Sequence, residues 1–177
     1  MLEKNQRHFP PIKWVGFDVD GVMTDGGLYI DDNAIETKRF HSRDGHGLKM
    51  LLRSGINCAV ITGRKSKVVE NRFRELGFKP DNIYQGVFDK GQLFKLLLEQ
   101  QGLSPENAAF AGDDVVDLPI LLNCALPMAP SDACPEALKA AYFISRSGGG
   151  RGAVREMVEF ILKGLGLWHE LIERYKP

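Results

Sequence analysis

Three short apolar runs, each closed at once by a polar cluster, restrict what this chain can fold into more than any other feature. Trp14 to Val19 runs into Asp18 and Asp20 and is followed by Gly21. Asn57 to Thr62 is followed by Gly63-Arg64, and Ala108 to Ala111 by Gly112-Asp113-Asp114. Runs this short and this apolar suit strands buried on both faces. Helical patterns lie between them. Asp44 opens one through Leu48, Leu51 and Leu52 that stops at Gly55, and Ser66 to Leu76 forms another closed by Gly77. Asp89 caps a third with an apolar stripe at Leu93, Leu96 and Leu97, and Val115 to Leu122 forms a fourth. Strands alternating with helices imply an α/β fold of Rossmann-like type, with a mainly parallel sheet covered on both faces.

The remaining segments read as additions to that frame. Leu28 to Ile30 and Ile35 to Phe40 flank Asp31-Asp32-Asn33, the pattern of a hairpin over about 26–40. Ile83-Tyr84-Gln85 is a short strand. Leu126 to Ala129 and Tyr142 to Ile144 read as edge strands around a short helix at Glu136 to Ala141. A helical tail over about 153–177 holds one helix at Ala153 to Leu165 and another at Trp168 to Tyr175. With 177 residues the chain is expected to form one domain spanning 1–177.

Parallel sheets place their sites at the carboxyl ends of the strands. Four polar clusters fall there or beside it: Asp18 with Asp20, Thr62-Gly63-Arg64, Lys90 and Gly112-Asp113-Asp114. In a strand, residues i and i+2 face the same way, so Asp18 and Asp20 are expected to share one spot. Two close carboxylates repel and resist burial unless a cation or a proton relieves them. Asp18 is placed to attack a phosphate ester and form an aspartyl phosphate, with Asp20 as general acid and then general base. The doubly charged substrate calls for a hard cation such as Mg²⁺, held by Asp18, Asp113 and the Asp20 carbonyl, with Asp114 or Asp117 behind them. Thr62 can donate to a phosphoryl oxygen, and Lys90 can balance the charge of the transition state.

Charge narrows the partners. The chain has 23 acidic and 23 basic side chains, which gives no support for binding nucleic acid or an anionic membrane. Met1 to His8 lacks the apolar centre of a signal peptide, and no apolar stretch approaches a membrane span. Cys58, Cys124 and Cys134 are odd in number without CxxC spacing, so reduced thiols in a cytoplasmic protein are expected. His41, His46 and His169 show no spacing of metal ligands.

The ordered set DxDG, TG, K and GDDxxD resembles the haloacid dehalogenase superfamily of phosphohydrolases. The match extends from Trp14 to about Glu159 and includes Arg43-Asp44-Gly45-His46-Gly47 and Gly149-Gly150-Arg151-Gly152. Only the hairpin stands where larger members insert a cap domain, so the chain resembles the capless type. That resemblance implies Mg²⁺-dependent release of phosphate from an eight-carbon keto-sugar acid, a step toward lipopolysaccharide. It also implies a homotetramer whose hairpins meet neighbouring subunits. Within it, His41, Ser42, Arg43, Asp44, Gly45, Lys49 and Arg72 would join Asp20 and Lys90 around the sugar. An arginine is more usual at Lys49 and an asparagine at His41. Arg64, with its planar fork, would hold the sugar carboxylate. A phosphatase of nine-carbon sialic-type sugar acids is the nearest alternative, although that group tends to carry glutamate where Arg64 stands. A phospho-receiver signalling domain is the alternative of a different class.

Overall fold

The computed structural model describes residues 9–176, so the reading of Met1 to His8 lies outside the described residues. A six-stranded parallel sheet forms the centre, with strands β1 (Trp14–Phe17), β4 (Asn57–Thr62), β5 (Ile83–Gln85), β6 (Ala108–Ala111), β7 (Leu126–Ala129) and β8 (Phe143–Ile144). Their spatial order is β5-β4-β1-β6-β7-β8, which puts β1 between β4 and β6. The carboxyl ends of these three strands are therefore neighbours, and each carries one of the polar clusters. A separate antiparallel pair, β2 (Tyr29–Ile30) with β3 (Glu36–Thr37), forms the hairpin.

Side-chain alternation along the strands splits the core in two. Val15, Phe17, Cys58, Val60, Ala109 and Ala111 face α1 (Ser42–Arg53), α2 (Lys67–Leu76) and α6 (Ala153–Gly164). Trp14, Ala59, Ile61, Ala108 and Phe110 face α3 (Lys90–Gln100), α4 (Leu118–Leu121) and α5 (Pro135–Ala140). A final short helix, α7 (Trp168–Glu173), packs on α6. Among the described residues no helix is long and apolar enough to cross a membrane.

Several local expectations need correction. Strand β1 ends at Phe17, and the chain bends at Val19 into a turn that begins at Asp20, so the i, i+2 argument does not reach Asp20. Leu126–Ala129 is an interior strand rather than an edge. Pro127 lacks an N–H, but its carbonyl accepts from Tyr142 N–H while the strand pairs with β6 on its other side. Helix α1 begins at Ser42, before Asp44. Val115 to Leu122 is a 3-10 turn, Val115–Asp117, that leads into the short α4. The buried face of α3 is Lys90, Phe94, Leu97 and Leu98, while Leu96 is exposed. These positions recur at i, i+4, i+7 and i+8, so one helix face carries both the core contacts and Lys90.

Candidate active site

At the end of β1 the side chain of Asp18 is nearly buried, and it meets Lys90 from the first turn of α3. Lys90 Nζ lies 3.0 Å from Asp18 Oδ2 and donates to Asp117 Oδ1 at 2.6 Å. Asp117 is fully buried, and its second oxygen accepts from the backbone N–H groups of Asp113 at 3.0 Å and Asp114 at 3.3 Å. That carboxylate thus fixes the loop after β6 and the lysine together. Asp114 turns its own side chain back to Val115 N–H and caps the 3-10 turn. Carboxylate oxygens of Asp18, Asp113 and Asp117 all lie within 4.8 Å of one another.

Such crowding is costly. Burial, and then the charge of Asp117, pushes Asp18 up to about 7 despite the opposing pull of Lys90. Burial, and then the charge of Asp18, pushes Asp113 up to about 8. Burial works against the Lys90 ammonium, but Asp18 and Asp117 outweigh it and hold that group above the ordinary lysine value. Among the described residues, Asp113 Oδ1 is buried without a hydrogen-bond partner. Gly21 makes this approach possible: its φ is +86°, and a Cβ there would overlap the Asp113 carboxylate. An oxygen-rich, under-satisfied carboxylate cluster of this kind suits a hard divalent cation.

The cleft above these groups is lined by Asp18, Asp20, Thr62, Arg64, Lys90 and Asp113, together with Phe88 and Val116. Thr62 is buried at the end of β4, and its hydroxyl accepts from Arg64 N–H. Asp20 faces the hairpin: Lys38 Nζ donates to its Oδ1 at 2.5 Å. Lys38 also lies 3.2 Å from Glu36, whose Oε1 accepts from Arg64 Nη2 at 2.8 Å. Glu36 and Lys38 were missing from the sequence-derived set. Their signal was the alternation Ile35-Glu36-Thr37-Lys38, which puts both charges on one face of the hairpin.

Other expected sugar contacts lie elsewhere in the subunit. His41, Asp44, Gly45 and Arg72 line a second cavity of about 10 Å³, too small for a sugar, against about 330 Å³ for the cleft. Asp44 accepts from Gly152 N–H at 3.1 Å and Arg155 N–H at 2.7 Å, so it caps α6 from a distance. Arg72 pairs with Glu75 and lies over the Phe40 ring. Ser42, Arg43 and Lys49 are exposed on α1. A single subunit therefore does not bring this group to the Asp18 cleft.

No protein-family model matches the chain. It is 43% identical over 155 residues to 3-deoxy-D-manno-octulosonate 8-phosphate phosphatase KdsC of Escherichia coli K12, covering 88% of this chain and 81% of that protein. The chain belongs to the 3-deoxy-D-manno-octulosonate 8-phosphate (KDO 8-phosphate) phosphatase family. A crystal structure of the KDO 8-phosphate phosphatase from Moraxella catarrhalis, in complex with magnesium, phosphate and KDO, superposes with a TM-score of 0.92 at 33% identity. It covers 99% of this chain and 100% of the other. The cobalt-bound family member from Haemophilus influenzae gives a TM-score of 0.83 at 40% identity, covering 89% and 91%. A structure described as a HAD superfamily hydrolase, from Legionella pneumophila, gives 0.90 at 38% identity over 96% and 92%, which agrees with the haloacid dehalogenase motifs.

Proposed function

We propose that this chain hydrolyses KDO 8-phosphate to KDO and inorganic phosphate with Mg²⁺ as cofactor, in the cytoplasm and toward lipopolysaccharide. One observation carries the reading. A largely buried carboxylate cluster with its own lysine stands at the neighbouring ends of β1 and β6, in a chain 43% identical to KdsC.

Asp18 acts as nucleophile: a bond forms from its carboxylate oxygen to phosphorus as the phosphorus–O8 bond breaks. Asp20 gives a proton to the departing sugar oxygen. The Asp20 carboxylate then takes a proton from water as the water oxygen attacks phosphorus. Inorganic phosphate leaves and Asp18 is restored. Lys90 balances the charge gathering beside Asp18, and the Thr62 hydroxyl donates to a phosphoryl oxygen. Asp18, Asp113 and the Asp20 carbonyl would hold Mg²⁺, with Asp117 bracing them from behind and Asp114 shaping the same loop. When bound, the ion supplies positive charge to the carboxylates and the phosphate. Arg64, about half exposed at the rim, is assigned to the sugar carboxylate.

The hairpin supports a homotetramer. Leu28, Ile30 and Ile35 are all more than half exposed, and two strands of two residues each do not hold a fold alone. In that assembly the exposed Ser42, Arg43 and Lys49, with His41 and Arg72 beside them, would serve a neighbouring subunit's cleft, while Asp44 and Gly45 stay buried in their own subunit. Light scattering that found a stable monomer would remove this part. Phosphate release from a panel of sugar phosphates, with and without Mg²⁺, tests the function. The highest kcat/KM is expected for KDO 8-phosphate, and preference for a nine-carbon sugar acid would reject the substrate assignment.

A further inference from the structure

The hairpin reaches the reacting end of its own subunit through one buried side chain. Lys38 is only 1% exposed beyond its backbone, and its ammonium contacts Asp20 Oδ1 at 2.5 Å and Glu36 Oε1 at 3.2 Å. Arg64 closes the ring, with Nη2 2.8 Å from Glu36 Oε1 and Nε 3.9 Å from Asp20 Oδ2. A buried ammonium is retained only where it is paired. Here its partner is the carboxylate that lines the cleft two residues beyond Asp18. With Oδ1 engaged, the rotamer of Asp20 is held and Oδ2 is left as the oxygen that can reach substrate.

We propose that Lys38 is a positioning residue for the chemical step, orienting Asp20 Oδ2 toward the departing oxygen of the ester. This rests on the phosphatase reading above and on Asp20 as its proton donor. The rival role for Lys38 is structural, a tether for a hairpin that pairs only Tyr29 with Thr37 and Ile30 with Glu36. The two roles differ in their dependence on the leaving group. A sugar alkoxide needs a proton to depart, whereas p-nitrophenolate leaves as a stable anion without one. A tether that fails should slow both substrates equally. A misdirected proton donor should slow mainly the sugar ester in formation of the aspartyl phosphate, which kcat/KM reports, whereas the later attack of water on that intermediate is common to both esters.

The experiment measures kcat and KM for wild type, K38M, K38R and D20N on KDO 8-phosphate and on p-nitrophenyl phosphate, with Mg²⁺ saturating. K38M should lose about 10²-fold in kcat/KM on the sugar phosphate, the low end of acid–base contributions, but less than about fivefold in kcat/KM on the aryl ester. D20N should show the same bias more strongly, and K38R should recover most of the sugar-phosphate rate. Both losses come from one preparation, so any unfolded fraction cancels in their ratio. Equal losses on the two substrates, or K38R no better than K38M, would overturn the proposal. If wild type preferred another sugar phosphate, the substrate reading would fail, and the same ratio measured on that ester would still decide the role of Lys38.

Discussion

The floor of the cleft and its hairpin wall are built on opposite principles. Asp18, Lys90 and Asp117 are buried, and with Asp113 they hang from the ends of the central strands and the first turn of α3. The wall is a two-stranded hairpin with exposed apolar residues, joined to the floor through Lys38, Glu36 and Arg64. Charge must be stabilised in fixed positions before the transition state forms, which favours the rigid elements for the phosphate end. On the proposed function, recognition of the leaving group falls to the small, solvent-facing element. The floor should therefore govern every phosphate ester alike, and the wall should separate one ester from another.

The largest test of that division is Asp18→Asn. It should lower turnover of sugar and aryl phosphates alike by at least about 10³-fold, as losses of covalent nucleophiles do. Appreciable residual rate on either ester would remove Asp18 as nucleophile. Gly21→Ala comes next: the new Cβ meets the Asp113 carboxylate and the residue must keep a positive φ. A stability loss of about 1–3 kcal/mol is expected, with a weaker response to Mg²⁺ in thermal melts. An unchanged Mg²⁺ response would separate Gly21 from the metal site. Arg64→Ala should then cost about 10–100-fold in kcat/KM for the sugar acid, equivalent to about 1.5–3 kcal/mol for a charged hydrogen bond, and little for the aryl ester. Equal losses would assign Arg64 to the floor.

The smallest effect concerns protons. Asp18 and Asp113 are raised from the ordinary 3.8 to about 7 and about 8 when folded. Between those limits the folded state holds more protons than the unfolded one. Their contribution is thus complete below the unfolded value and is lost as pH rises through the folded values. Metal-free protein should melt at lower temperature at pH 8 than at pH 5, and Mg²⁺ should restore much of the difference at pH 8. A melting temperature that rose over this range without metal would contradict the crowding at the floor.

The floor was also the legible part of the sequence. Asp18, Thr62 and Asp113 follow apolar runs whose strand character is strong, and a parallel sheet leaves little choice about where strand ends meet. Lys90 was legible because Asp89 caps α3 in the expected way, accepting from Gln92 N–H. The wall was less so. Asp20 was placed by strand geometry, yet the strand stops three residues earlier, and its orientation comes from Lys38 across the turn. Glu36 and Lys38 sit in a run too short for pattern to distinguish from an ordinary solvated hairpin. Asp44 read as a sugar ligand, but its carboxylate serves backbone N–H groups more than a hundred positions away, a pairing that no local pattern encodes.

The glycine segment near the end of the chain has a consequence of its own. Gly149 and Gly150 are buried against the turn that carries Asp20: Gly150 N–H donates to Val22, and a Cβ on Gly149 would overlap the Gly21 carbonyl. These residues come after every strand of the sheet in chain order. Helix α6 follows within three residues and supplies Val154, Met157, Val158 and Ile161 to one face of the core, so the acidic turn gains its backing from the same stretch of chain that completes that face.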